Sequence, residues 1–213
     1  MHLFPVIAAA LSLFMSCPLF AQGWIEYASQ EDFFTINFPG EPAVRDITYD
    51  TEYFITLQGR VYSYESGASR YSVTVVNYAD AAERHAERVV DCLAALGDGD
   101  SCNNRTQTDM RGALDYATWN FLQREAELTH FVYYIADYVE GRTFHLTNSD
   151  GSRTFAAVNM HEDRLYILEG TVSADSPPPL VFQQSLGFLD SERKRIRYAT
   201  PYSNGFPAPP RTR

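Results

Sequence analysis

The stretch FAAVNMHEDRLYILEG, residues 155–170, sets a short polar segment between two apolar runs. An antiparallel hairpin that turns at Glu162 and Asp163 makes both faces of the two strands apolar. This pattern is typical of central strands that other layers cover on both sides. The stretch therefore predicts a sheet that is buried on both faces. The residue pairs opposite each other are Met160 and Leu165, Val158 and Ile167, and Ala157 and Leu168.

The polar segment His161, Glu162 and Asp163 is the strongest candidate for chemistry in this hairpin. A base beside two carboxylates could bind a metal or transfer a proton. Short polar residues are also normal in a hairpin turn. We therefore interpret the three residues as a solvated turn and keep them as a weak candidate loop site, since loops carry function. The segment is not an HExxH motif, because Leu165 stands where the second histidine is required.

The remaining chain predicts an α+β domain. A spacing of three or four residues between small and aliphatic side chains predicts a helix from Asp80 to Gly97, with His85 half-buried at the edge of that stripe. Prolines at the start of residues 176–189 favour a short second helix. Apolar alternation predicts further strands over residues 34–38, 53–58, 60–65, 70–78, 113–124, 128–139 and 142–148. We expect a single α+β domain over residues 22–190, with a central antiparallel sheet flanked by helices. The residues of the predicted helix stripe are Ala82, Ala86, Val89, Leu93 and Leu96.

The first 21 residues resemble a secretory signal peptide. They are apolar and uncharged, and the small residue Ala21 stands at a plausible cleavage point. A retained membrane anchor and a lipoprotein attached through Cys17 are less favoured, because the apolar run is short and Pro18 follows the cysteine. We therefore expect a periplasmic or secreted protein with no transmembrane segment after leader removal. Export would leave Cys92 and Cys102, which we predict to form a disulfide.

Charge is distributed unevenly along this acidic chain. It carries 17 basic and 27 acidic residues, a net charge of −10, and the acidic body argues against nucleic acid as a partner. Residues 191–213 form a basic, proline-rich tail. We expect this tail to pack partly on the domain through Tyr198, Tyr202 and Phe206, because exposed ion pairs alone contribute little. The basic residues of the tail are Arg193, Lys194, Arg195, Arg197, Arg211 and Arg213.

No strong catalytic or cofactor motif stands in the sequence. It contains no G-x-S-x-G, no G-x-G-x-x-G and no P-loop. A turn centred on Glu140 and Gly141 would separate His130 from His145 by roughly 20 Å along their strands. That separation excludes a shared metal ion. We therefore predict no catalytic residue, no cofactor and no metal ligand.

Four segments carry a resemblance to a known family. The segment WIEYASQEDFFTINFPGEP (24–42), together with residues 70–78, 153–172 and 182–189, resembles uncharacterised exported bacterial proteins related to PsbP. The resemblance implies an αβα sandwich, the fold also used by thylakoid PsbP and a nuclear Ran-binding protein. It implies a non-catalytic binding or assembly role and transfers no functional residue. The cysteine loop and the basic tail depart from the family pattern.

We therefore expect an exported, non-catalytic binding or accessory module of the bacterial envelope. Its partner would be an envelope protein or a small ligand. The alternatives are an envelope hydrolase with an acid/base pair and a structural subunit of an envelope complex. Converging carboxylates or histidines with shifted pKa values would favour the enzyme. An apolar groove or patch would favour binding.

Overall fold

A computed structural model describes residues 23–96, 99 and 101–212 of the chain. The predicted leader, residues 1–21, lies outside this part. The strands are β1 (Ile25–Ser29), β2 (Phe34–Phe38), β3 (Ala43–Asp50), β4 (Thr56–Ser66), β5 (Ser69–Asn77), β6 (Ala126–Ala136), β7 (Val139–Asn148), β8 (Arg153–His161), β9 (Arg164–Val172) and β10 (Gly187–Phe188). The helices are α1 (Ala81–Leu96), α2 (Thr106–Leu122) and α3 (Leu180–Gln183).

A seven-stranded antiparallel sheet forms the centre of the fold. Its strand order is β3-β4-β5-β9-β8-β7-β6, so β8 and β9 lie inside it and β3 and β6 form its edges. The predicted register of the β8–β9 hairpin is confirmed at all three pairs, with Met160 opposite Leu165, Val158 opposite Ile167 and Ala157 opposite Leu168. The predicted α+β class with a central antiparallel sheet is likewise confirmed.

Different layers cover the two faces of this sheet. Helices α1 and α2 pack on one face, where the Phe121 ring lies 4.7 Å from that of Phe144. The other face is covered by the sheet β1-β2-β10, by α3 and by part of the tail. The helix predicted over residues 176–189 is limited to α3, because Gly187 and Phe188 pair with β2 instead.

Helix α2 corrects the strand predicted over residues 113–124. Aromatic and Thr residues in this stretch have high strand propensity, but its buried positions follow a helical spacing. Packing of that buried face against β8, β7 and β9 decides the structure. The buried residues of α2 are Asp109, Ala113, Leu114, Ala117, Thr118 and Phe121.

Helix α1 was predicted correctly, but its buried face was not. Ala81 and His85 are fully buried, whereas the stripe residue Leu93 is exposed. Two links fix the rotation of the helix. His85 bonds to Asp109 of α2, and the predicted Cys92–Cys102 disulfide ties α1 to the segment before α2.

The C-terminal tail contributes side chains to the core. Tyr198 and Tyr202 are buried against the face that carries β1 and β2. The Arg195 guanidinium lies 2.5 Å from the Asp137 carboxylate. Phe206 is exposed, and the Arg111 guanidinium lies 5.7 Å from its ring centroid. Among the described residues, no helix is long and apolar enough to cross a membrane.

Hydrogen exchange should detect the attachment of the tail. The amide of Ile196 donates to the Phe188 carbonyl and the amide of Tyr202 donates to the Tyr138 carbonyl, both at 2.7 Å. We expect both amides to exchange at least about 100-fold more slowly than in an unstructured peptide. The protection should persist in 1 M NaCl, since ions screen exposed charge pairs but not buried tyrosines. Exchange at the unstructured rate in either salt condition would contradict the attachment.

Candidate functional site

The structure splits the sequence candidate His161, Glu162 and Asp163 into two environments. Glu162 and Asp163 are exposed at the predicted turn between β8 and β9. His161 is only 2% exposed, so its assignment to a solvated turn is wrong. The tail supplies its cover, because the Tyr198 hydroxyl lies 2.7 Å from His161 Nε2 and the Tyr202 ring packs against the imidazole.

The environment of His161 favours its neutral form. Burial is the largest cause that lowers the pKa of His161 to about 3, and the nearby Arg211 and Arg164 guanidinium groups contribute in the same direction. The Phe188 ring, with its centroid 4.6 Å from that of the imidazole, excludes water from one side. Among the described residues, no group of three or more His, Cys, Asp or Glu side chains is placed to hold a metal ion. We assign His161 a structural role in holding the tail.

A second polar group lies inside the helical layer, and it corrects the half-buried assignment of His85. His85 Nε2 lies 2.9 Å from Asp109 Oδ2, and the Thr51 hydroxyl donates to the same oxygen at 2.6 Å. The nearby tyrosine hydroxyls of Tyr49 and Tyr78 are also buried. His85 and Asp109 are at most 1% exposed, so a substrate cannot reach them in this conformation. The group joins α1, α2 and the β3–β4 loop.

The third pair, His130 and His145, also departs from its prediction. The two residues lie opposite each other on β6 and β7, and their rings stack with centroids 4.6 Å apart. The chain turns at Asp137 and Tyr138, which both have positive φ, and not at Glu140 and Gly141. Two consecutive positive φ angles are typical of a tight type I′ hairpin. The register set by this turn places His130 opposite His145, and it shifts only beyond them, between Leu128 and His130.

A cavity of about 330 Å³ lies beside the stacked histidines. We call it the histidine pocket. Apolar walls with a few polar groups are typical of small-ligand sites, which have volumes of about 300–1,000 Å³. The pocket lies where β7 and β8 meet the segment that leads into α3. Its lining residues are Thr129, His145, Leu146, Arg153, Phe155, Pro178 and Leu180.

Aromatic and cationic groups form one wall of the histidine pocket. The Phe155 ring centroid lies 4.5 Å from that of His145, and the Arg153 guanidinium lies 5.6 Å from the centre of the Phe155 ring. Arg153 donates a hydrogen bond from one terminal nitrogen to the Ser176 carbonyl. Its Nε is buried and has no hydrogen-bond partner among the described residues. The wall therefore holds an unused donor beside an aromatic surface.

Electrostatics in the histidine pocket favour negative charge. Burial lowers the pKa of His145, and the positive potential of His130 and Arg153 lowers it further, while a hydrogen bond with Gln183 acts in the opposite direction. No carboxylate is among the residues that line the pocket. The net charge of the chain is −10, so the pocket is a local cationic site on an acidic protein.

Larger cavities in the described part of the chain have a different chemistry. A groove of about 450 Å³ between β4 and α1 is lined by charges of both signs, including Asp80, Arg84 and Glu87. Another cavity, of about 570 Å³ beside the β7–β8 turn, is lined mainly by polar residues. The histidine pocket combines apolar walls with one guanidinium and one imidazole, so we take it as the candidate site.

Comparisons with known proteins give a distant fold relative. No family model matches the chain, and no curated protein matches its sequence. The chain is similar to the solution structure of cyanobacterial PsbP (CyanoP) from Synechocystis sp. PCC 6803, with a TM-score of 0.37 and 13% sequence identity. The similarity covers 74% of this chain and 85% of that chain. At this level it assigns no family and carries no argument about function.

The burial of His161 predicts acid sensitivity. The unfolded chain protonates this imidazole near the ordinary histidine pKa of 6.5, whereas the folded pKa is about 3. Acidification between these values therefore favours the unfolded state by up to about 1.4 kcal/mol per pH unit. Urea unfolding should show that wild type loses about 2 kcal/mol more stability than His161→Gln between pH 6.5 and pH 5. Other titrating groups are common to both proteins, so equal losses would contradict a buried neutral His161.

The burial of His161 also predicts that truncation of its side chain destabilises the fold. His161→Ala removes a buried ring and its contact with the Tyr198 hydroxyl. We expect a loss of about 2–4 kcal/mol in the free energy of unfolding. The exposed turn residue Glu162 gives the matched comparison, since Glu162→Ala should change stability by less than about 0.5 kcal/mol. Similar small effects at both positions would restore the solvated-turn interpretation.

Proposed function

We propose that the protein is an exported, non-catalytic binding module that takes a small apolar anion in the histidine pocket. The Arg153 guanidinium carries this proposal, because it lines the pocket beside the Phe155 ring with no carboxylate among the lining residues. A ligand carboxylate would accept a charge-assisted hydrogen bond from the guanidinium, which is stronger than a bond between neutral groups. An aromatic or aliphatic ligand body would occupy the apolar walls.

Binding is favoured over hydrolysis by the chemistry of the lining residues. They contribute one imidazole, one guanidinium and the hydroxyl of Thr129, which already donates to the His145 carbonyl at 3.2 Å. Nucleophilic catalysis needs a nucleophile and a base within hydrogen-bond reach, with the base oriented by a third group. The pocket offers no such arrangement. The positive charge that would hold an anion comes from Arg153.

Export is the second part of the proposal. It is supported by the uncharged apolar leader that ends near Ala21 and by the Cys92–Cys102 disulfide, which suits an oxidising compartment. The intact mass of the protein from its native host should correspond to a chain that begins near Gln22. A full-length product in the cytoplasm would contradict export and leave the ligand proposal to be judged separately.

Phenylacetate and its uncharged amide test the ligand class. Chemical-shift titration should show phenylacetate binding at millimolar concentration or below, with shifts centred on His145 and Phe155. The amide should bind at least about tenfold more weakly, since one charge-assisted hydrogen bond contributes about 1.5–3 kcal/mol. Arg153→Gln should weaken phenylacetate binding by a similar factor.

Two further variants separate a charge effect from a loss of fold. Leu180→Glu places a carboxylate on the exposed rim of the pocket. It should weaken the binding of phenylacetate more than the binding of the amide. Arg124→Gln removes a guanidinium that pairs with Glu169 outside the pocket, and it should leave binding unchanged. Equal affinity for acid and amide, or shifts that avoid the pocket, would contradict the proposal.

A further inference from the structure

Strand β6 is an unprotected edge of the seven-stranded sheet. It is 11 residues long and pairs only with β7, so its outer backbone edge has no strand partner among the described residues. A free edge of this length is a template for pairing with another chain. Five large apolar side chains along it are exposed, namely Leu128, Phe131, Val132, Tyr133 and Ile135.

The opposite edge of the same sheet provides an internal comparison. Strand β3 carries the charged residues Arg45, Asp46 and Asp50. Charged side chains on an edge strand oppose pairing with other chains. Residues 128–136 of β6 contain no Asp, Glu, Lys or Arg. One edge of the sheet is therefore protected by charge and the other is not.

The exposed residues extend from β6 onto α2. The Phe131 ring centroid lies 6.4 Å from that of Phe144, which places Phe131 on the helical side of the sheet. Trp119 follows Asp115 by about one helical turn, and the Asp115 carboxylate lies 3.6 Å from the Arg142 guanidinium of β7. Trp119 therefore lies toward the β6 side of α2. We define the β6 patch as Trp119, Leu128, Phe131, Val132, Tyr133 and Ile135, which are 39–55% exposed.

The area of the β6 patch is comparable with that of a specific interface. Buried aromatic side chains cover about 150–250 Å² each, so these half-exposed side chains present on the order of 500 Å². The largest apolar patch on a typical monomer is about 300–600 Å² and is often functional. A standard interface buries about 800 Å² of each partner. The backbone edge of β6 would supply part of the area that the side chains of the patch do not.

We infer that β6 pairs antiparallel with β6 of a second copy, joining two seven-stranded sheets into one. The occupant of this edge must be a strand that is uncharged and apolar on both of its faces. Residues 128–136 of this chain contain no Asp, Glu, Lys or Arg and place large apolar side chains on both faces, although Thr129 and His130 are polar. A two-fold axis makes identical strands antiparallel and sets the same patch against itself.

Charge also favours a second copy that docks at this place. Each copy has a net charge of −10, so contact through an acidic surface would be repulsive. Pairing through residues 128–136 brings no formal like charges opposite each other. At the end of the strand, the Asp137 carboxylate is already paired with Arg195 at 2.5 Å. The contact therefore avoids the repulsion that the rest of the surface would impose.

Sedimentation velocity of the exported chain over about 1–100 µM tests the pairing. Wild type should sediment as a dimer at the upper end of this range. Tyr133→Lys should raise the dimer dissociation constant at least about 100-fold, because the substitution buries a charge at the centre of the contact. Val132→Lys makes the same change on the opposite face of β6, so it serves if Tyr133→Lys does not fold.

Val44→Lys is the matched control. Val44 is 50% exposed on β3, the other edge strand. Its substitution makes the same change from valine to lysine as Val132→Lys. This variant should dimerise as wild type does, with circular dichroism confirming that all variants are folded. Wild type that stays monomeric at 100 µM would overturn the inference. Dimers that survive both β6 substitutions, or that are lost in Val44→Lys, would also overturn it.

Discussion

The structure depends on the two-sided burial of β8 and β9. Residues 154–161 are buried without interruption, so neither face of this strand can be left to water. Burying one large apolar side chain is worth about 1.5–3 kcal/mol, and a sheet apolar on both faces therefore needs a layer on each side. Helix α2 covers one face with Phe121, and the small sheet covers the other with Phe34 and Phe188. The other elements are positioned by these two contacts.

Local sequence determined the β8–β9 register, but distant sequence determined the environment of its turn. Two apolar runs and a two-residue turn fix which residues lie opposite each other, and both are visible within residues 155–170. The cover over His161 comes from Tyr198 and Tyr202. Nothing in the hairpin itself indicates that the tail packs there. A histidine at a predicted turn can thus become a core residue through contacts that are remote in sequence.

The histidine pocket could not be predicted because the sequence favours a β6–β7 turn three residues later than the turn in the structure. Glycine favours turns, so Glu140 and Gly141 were the better local candidates. In the structure Gly141 lies inside a strand pair, where a side chain would collide with the backbone of Val158 and with Asn159. The turn instead forms at Asp137 and Tyr138, although tyrosine rarely adopts positive φ. The strained turn is compatible with Arg195 binding to Asp137 and with the Tyr202 amide donating to the Tyr138 carbonyl.

The histidine pocket and the β6 edge share one strand, so ligand binding and pairing between copies can be coupled. Thr129 lines the pocket, and Phe131 lies two residues away in the β6 patch. Alternation along β6 places His130 on the pocket side of the sheet and Phe131 on the helical side. If ligand binding changes the affinity between copies, pairing must change ligand affinity by the same factor, because such coupling is reciprocal. A phenylacetate titration repeated in Tyr133→Lys would measure that factor. Equal affinity in the paired and unpaired proteins would show that β6 carries two independent surfaces.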